Sequence, residues 1–384
     1  MFARSTIALF TLAAAAGACT TDETGPGHPT PASAIDSVLL EARAGTGLPG
    51  MAAIVVRADT IEAIGAVGVR RRGHPEAVTT ADRFHIGSNV KAMTATMIAT
   101  LVEEGALAWD TRPADVFPEL AATMDPAYQG ITLAQLLSHR AGIEPLLDFS
   151  QVPAIPGTPG EQRYAGTALL LSLPPAGPVG EFLYSNGGYG VAAAMAERVT
   201  GQSWEQLLTT RLLAPLGITP VFGWPAAGHA AQPWGHLPGS FTPVNPDAAP
   251  DMPDAIDPAG EMALSLTEYA RFVQLHLRGL TGRPDLLSGA GFAALHHPTG
   301  DYALGWGEIV LGGEPTATHD GSTGTFYATV LMQPGRDLAV IVVANAGGEV
   351  AASAVVQAAV TLLGRYGGVV PAAGVAALPA ARYR

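Results

Sequence analysis

Along residues 35 to 69, apolar positions first follow helical spacing, from Ile35 to Arg43 with Asp36 and Ser37 near the start. They then become strand-like in two runs, Met51 to Arg57 and Thr60 to Val69, and the short Ala58-Asp59 turn between them predicts a hairpin. A second helical run follows Phe84-His85-Ile86-Gly87-Ser88-Asn89-Val90-Lys91. There Met93, Met97, Ile98, Leu101 and Val102 recur on one face up to Glu104, and Gly105 closes the helix. Ile131 to Leu137 predicts a short helix with Thr132 as N-cap, ending at Ser138-His139-Arg140-Ala141-Gly142. Residues 145 to 180 are rich in Pro and Gly and predict loop with one helical piece near Gly166 to Leu173. Phe182 to Gly190 then opens a helix whose apolar positions continue through Val199, and Thr267 to Leu280 is an amphipathic helix. The stretch between them, Pro220 to Pro258, is too long for an ordinary connection and is expected to form a rim or lid.

The last third alternates or runs apolar in short segments: Tyr302 to Leu311, Thr316 to Asp320, Thr325 to Met332 and Leu338 to Asn345. Pro334-Gly335-Arg336-Asp337 is a hairpin turn between the last two, and Val350 to Leu363 closes as a helix. Strands at both ends with helices between them predict an α/β (α+β) fold in which one sheet is built from both termini around a helical insertion. The expected layout is a sheet lobe from residues 34–80 and 300–365, a helical lobe from 81–299, and a disordered tail at 366–384.

Composition agrees with a globular chain, since 48% hydrophobic residues in 384 positions supply ample core. A net charge of −13 argues against nucleic acid or an anionic membrane surface as a direct partner. Arg4, an apolar run from Thr6 to Ala16 and then Ala16-Gly17-Ala18-Cys19 form a secretory signal (residues 1–18) too short to span and stay. The single cysteine directly follows the small residues, so lipidation of Cys19 is favoured over simple secretion, with residues 19–33 as a tether and the outer side of a bacterial membrane or the periplasm as location.

Lys91 is the only lysine in a chain whose Lys and Arg total 20, so arginine stands nearly everywhere else a positive charge serves. Arginine keeps its proton, whereas burial can turn a lysine amine into a neutral base. Ser88 lies three positions earlier, on the same side of a helix and in its first turn, where the dipole favours a nucleophile and an oxyanion. Chance spacing of two surface residues is the competing reading of Ser-x-x-Lys, and partners elsewhere in the chain are needed to decide. Tyr184 and Asn186, in the turn before the next long helix, supply a proton shuttle and a donor–acceptor amide; by themselves they are an ordinary turn and cap. His319-Asp320-Gly321-Ser322, between two strands, offers a glycine for close approach and an edge N–H as an oxyanion donor, or equally a tight turn. His139 is read as structural or capping, and the histidines at 229, 236, 296 and 297 as loop residues, because they have no metal-ligand companions at ligand spacing.

The ordered set Ser88-x-x-Lys91, Tyr184-Ser185-Asn186 and His319-Asp320-Gly321 resembles the serine β-lactamase and penicillin-binding-protein family, on its class C and D-alanyl-D-alanine carboxypeptidase side. Leu101 to Gly105, Leu136 to His139, Pro258-Ala259-Gly260 and Leu304-Gly305-Trp306 extend the likeness over roughly residues 35 to 365. The resemblance implies Ser88 as the acylated nucleophile, Lys91 and Tyr184 as the proton relay, and Asn186 as holder of the substrate carbonyl. It also implies an oxyanion hole from the backbone N–H groups of Ser88 and Ser322, with no metal or cofactor. His319 stands where the family's β-lactamases usually carry a lysine. That departure is similar to the esterase and D-aminopeptidase branches and disfavours an anionic substrate group, with Asp320 adding to the effect. The reading is an exported serine hydrolase acting on a small-molecule or peptide ester or amide. A true β-lactamase or D,D-peptidase, and a non-catalytic binding protein on the same fold, are the alternatives; an α/β-hydrolase is disfavoured because no G-x-S-x-G is present.

Overall fold

The computed structural model describes residues 34–148, 152–229, 231–249 and 251–368. The expected signal (1–18), the tether with Cys19 (19–33) and the tail from residue 369 lie outside the described residues.

The chain opens with α1 (Ala34–Arg43) and the hairpin β1 (Gly50–Val56) and β2 (Ile61–Gly68). A short strand β3 (Arg83–His85) leads through a 3-10 turn at Gly87–Asn89 into α2 (Val90–Glu103). The helical part continues through α3 (Pro113–Val116), α4 (Leu133–Leu137), α5 (Pro159–Ser172), α6 (Asn186–Thr200) and α7 (Trp204–Leu208). After the long 220–258 connection come β4 (Ala263–Ser265), α8 (Leu266–Leu280) and α9 (Gly289–Leu295). The strands β5 (Gly307–Leu311), β6 (Glu314–Ser322), β7 (Tyr327–Gln333) and β8 (Leu338–Ala344) and the helix α10 (Glu349–Gly367) complete the fold.

Six strands form one antiparallel sheet in the order β2-β1-β8-β7-β6-β5, so β1 from the N-terminal part pairs with β8 from the C-terminal part, Ile54 opposite Ile341. β1, β7 and β8 are buried along their whole length, which requires cover on both faces. Alternation splits their side chains between two cores. Met51, Val340 and Val342 meet α1 and α10 through Ile35, Leu39, Val355 and Leu362. Ala52, Ile54, Ile341 and Val343 meet the helical part through Phe84, Met93 and Leu264.

Several elements differ from expectation for identifiable reasons. α2 is buried on all sides from Val90 to Leu101, not on one face, because the sheet and the other helices enclose it. Its threonines stay satisfied by bonding carbonyls, Thr94 to Pro258 O at 2.8 Å and Thr100 to Met97 O at 2.7 Å. α5 begins at Pro159 and not near Gly166: Thr158 and Glu161 form a reciprocal capping box, and proline is tolerated in the first turn. Strand Tyr302 to Leu311 shortens to Gly307–Leu311 because Leu304-Gly305-Trp306 turns against α2, where a Cβ on Gly305 would lie 2.7 Å from Ala92 Cα. β6 extends to Ser322, so Gly321 and Ser322 belong to the strand and not to a turn. α10 passes the expected end at Leu363 and the 365 boundary, reaching Gly367.

Candidate active site

The Ser88 turn is held from three sides. β3 pairs with β4, Phe84 opposite Leu264, and Ile86 N donates to Met262 O at 3.0 Å. Asn89 is fully buried; its Nδ2 donates to Ile86 O at 2.8 Å and its Oδ1 accepts from Tyr269 Oη at 2.8 Å. The end of β6 closes the third side. A Cβ on Gly321 would sit 1.9 Å from Ile86 O, and one on Gly87 2.7 Å from Ser322 N, so both positions need glycine for the strand to come this close. Gly87 also has φ +52°, a left-handed conformation that glycine adopts without strain.

Lys91 lies at the start of α2 and is fully buried. Its Nζ is 3.0 Å from Ser88 Oγ, 2.7 Å from Asn186 Oδ1 and 2.8 Å from Ala259 O. None of these partners is a carboxylate, and burial holds the amine well below its usual lysine value. A neutral amine has two hydrogens and one lone pair. Asn186 Oδ1 and Ala259 O only accept, the amide orientation being set by Nδ2 donating to Leu146 O at 3.0 Å. Once the amine is neutral, its lone pair falls to Ser88 Oγ, the partner with a proton to give.

Tyr184 covers the amine with its ring centroid 4.8 Å from Nζ, and Tyr189 lies at 5.5 Å. Alternate residues of the Tyr184-Ser185-Asn186 turn serve opposite purposes. Ser185 caps α6, accepting from Gly188 N at 2.9 Å and donating to Glu144 O at 2.7 Å, which leaves Tyr184 and Asn186 at Lys91. Asn186 keeps one amide hydrogen beyond its bond to Leu146 O. His139, at φ +60°, stacks on Tyr184 with centroids 4.2 Å apart and accepts from Ser185 N at 3.0 Å through Nδ1.

His319, expected to touch substrate, is instead 1% exposed with both ring nitrogens engaged: Nδ1 donates to Asp320 O at 2.7 Å and Nε2 accepts from Tyr302 Oη at 2.9 Å. Burial, with Lys91 as a lesser cause, pushes it down to about 3, so it is a neutral wall residue at physiological pH. Asp320 also departs from expectation. Cross-strand from Thr329, it points to the opposite face of the sheet and accepts from Thr329 Oγ1 at 2.5 Å, so it is not directed at the site. Ser322 is exposed at the end of β6 beside the Ser88 turn, its Oγ accepting from Gly324 N at 3.2 Å. Ala259 O, Asn89 and Tyr302 join the site through tertiary contacts that the sequence pattern does not mark, apart from Pro258-Ala259-Gly260 for the first.

Among the described residues burial lowers His139, His236, His276 and His319. His139 and His276 lie well below the usual value and His319 at about 3, while an unfolded histidine titrates near 6.5. The unfolded chain thus binds more protons below that point, and stability falls as pH falls from about 6.5 toward the folded values. Each such histidine contributes a loss of up to about 1.4 kcal/mol per pH unit below pH 6.5, opposed in the same window by Asp257, which burial pushes up to about 9, so urea unfolding should show His319→Gln losing less stability per pH unit than the unaltered chain. The same slope between pH 7 and 5 in His319→Gln and in the unaltered chain is the contrary result.

The profile of the family described as Beta-lactamase matches residues 35–363. Penicillin-binding protein 4 of Amycolatopsis lactamdurans is 31% identical over 341 residues, covering 84% of this chain and 87% of that protein. Among solved structures, SurE with D-Leu superposes at TM-score 0.69 with 26% identity, covering 88% of this chain and 76% of the other. The class C β-lactamase of Rhodobacter sphaeroides superposes at TM-score 0.69 with 20% identity, over 86% of this chain and 99% of the other, a likeness of fold. With a match over most of its length, the chain belongs to the Beta-lactamase family of serine β-lactamases and penicillin-binding proteins.

Proposed function

We propose that the protein is an exported serine hydrolase that forms an acyl-enzyme through Ser88. The observation that carries this reading is the buried, carboxylate-free Lys91 amine 3.0 Å from Ser88 Oγ. Ser88 Oγ attacks the acyl carbon while its proton passes to the Lys91 lone pair. The backbone N–H groups of Ser88 and Ser322 hold the oxyanion, and the spare amide hydrogen of Asn186 meets the substrate carbonyl. The bond to the leaving group breaks, and the leaving group takes a proton through Tyr184, which Lys91 replenishes. Water then cleaves the Ser88 ester, releasing the acid and restoring the hydroxyl.

A neutral His319 gives the site no fixed cation for a substrate carboxylate, which supports esters and amides over anionic β-lactams. Similarity to a penicillin-binding protein and to SurE, whose structure holds D-Leu, supports including D-amino-acid esters and amides in the first panel. Export rests on the signal pattern ending at Ala18, and lipid anchoring on Cys19. Intact-mass analysis of the full chain after exposure to a fluorophosphonate, p-nitrophenyl acetate or benzylpenicillin tests the reading. The expected result is one adduct, mapped to the Ser88 peptide, from the phosphonate and the ester, and little or none from penicillin. No adduct from any reagent, or one mapped elsewhere, would overturn the proposal.

A further inference from the structure

We infer that His85 and Glu261 form a buried positioning pair that holds the backbone leading into Ser88, and with it the oxyanion donor at Ser88 N–H. The inference rests on the reading of Ser88 as the nucleophile and adds two residues to which neither the sequence motifs nor the family likeness gave a role. His85 ends β3 and is 1% exposed; Glu261 lies just before β4 and is 5% exposed. The Nδ1 of His85 accepts from Gly87 N at 3.1 Å, so a side chain closes the turn two residues ahead of itself, as an Asx turn does. An imidazole nitrogen that accepts carries no proton, which places the His85 proton on Nε2. That nitrogen is 3.3 Å from Glu261 Oε1.

The other carboxylate oxygen, Oε2, accepts from Met252 N at 3.0 Å. Glu261 thus faces two groups that can only donate, the His85 Nε2–H and the Met252 N–H. A carboxylate satisfies both, whereas a glutamine has one oxygen and must leave one donor opposed or turn its NH₂ toward His85. In the second case the imidazole changes tautomer, and Nδ1–H then points at Gly87 N–H. The ring of His85 packs against Trp224 at 5.3 Å and Phe326 at 6.4 Å, so its plane has little freedom. Gly87 in turn abuts Ser322 N, so a shift at Gly87 changes the spacing between the two proposed oxyanion donors.

The test compares His85→Phe, His85→Asn and Glu261→Gln with the unaltered chain in p-nitrophenyl acetate hydrolysis, with fluorophosphonate titration counting intact sites and Ser88→Ala as background. Phenylalanine keeps the ring packing and removes the acceptor; asparagine returns an acceptor at the δ position. The expected result is a kcat loss per titrated site of about 30- to 100-fold for His85→Phe and about tenfold or more for Glu261→Gln, below the cost of deleting an oxyanion donor outright. KM should stay within about threefold, and His85→Asn should recover kcat to within about fivefold of wild type. Wild-type kcat per titrated site in both His85→Phe and Glu261→Gln, even with a lower melting temperature, would reduce the pair to a structural contact and overturn the inference. A wild-type chain with no Ser88-dependent turnover would overturn the proposed function itself, and this inference with it.

Discussion

Lys91→Met is expected to slow acylation of Ser88 by about three to four orders of magnitude, near the upper end of what a positioned base contributes. Methionine fills a similar volume without a lone pair, so Ser88 Oγ loses the group that takes its proton. The same substitution should reveal what the amine costs the fold. A lysine held below its ordinary 10.5 is neutral when folded and protonated when unfolded throughout the interval between the two values. The unfolded chain binds more protons there, so wild-type stability rises with pH up to about 10.5. The stability of Lys91→Met relative to wild type should therefore be most favourable at the acid end of that interval and decline as pH approaches 10.5. Urea unfolding of both proteins at pH 7 and pH 10 reads this directly, and no second lysine complicates the difference. A difference unchanged between the two pH values would mean that Lys91 is charged in the folded protein, and residual acylation above about one tenth of wild type would remove it as the base.

Gly321→Ala is the second large effect. Its methyl would need to occupy space 1.9 Å from Ile86 O and 2.6 Å from Asn89 Nδ2. Neither neighbour can give way easily: Ile86 is tied to Met262, and Asn89 is held by Tyr269. The strand end must move instead, with an overpacking cost of about 1–3 kcal/mol. Moving it displaces Ser322 N–H from the Ser88 turn, so kcat should fall by about 10²- to 10³-fold, the size of a lost oxyanion donor. Gly313→Ala is the control. It lies in the β5–β6 turn at φ +82°, with open space for a methyl group, so it should cost only about 1 kcal/mol of backbone strain and leave kcat unchanged. Equal activity in Gly321→Ala and wild type would show that the oxyanion hole does not depend on this contact.

Local pattern made much of the fold legible. Short apolar runs and turn chemistry located β1, β2, β7 and β8 to within a residue or two, because each hairpin's strands and turn lie in adjacent positions. The amphipathic α8 was equally clear, beginning where Ser265 and Glu268 form a capping box. β3 and β4 were not legible, since each has three residues and exists only through a partner about 180 positions away in sequence. The pattern of α2 predicts a one-sided helix although it is enclosed, because a helix rich in Ala, Met and Thr looks much the same in both settings. In the sequence Asp320 looks like a charge near the substrate because it adjoins His319. In a strand they point to opposite faces.

The sequence alone determined which groups this protein has for chemistry. A single lysine in an arginine-rich chain, three residues after a serine at a helix start, is a choice of atoms that no packing could supply later. What those groups can do was decided by tertiary structure. Burial holds the Lys91 amine well below its ordinary value, and the carbonyl of Ala259, 168 positions away, accepts one of its hydrogens. Strand β6 and Tyr302 enclose His319 as a neutral wall. Protonation state follows from desolvation and from hydrogen-bond partners, and both depend on what long-range folding brings within about 3 Å.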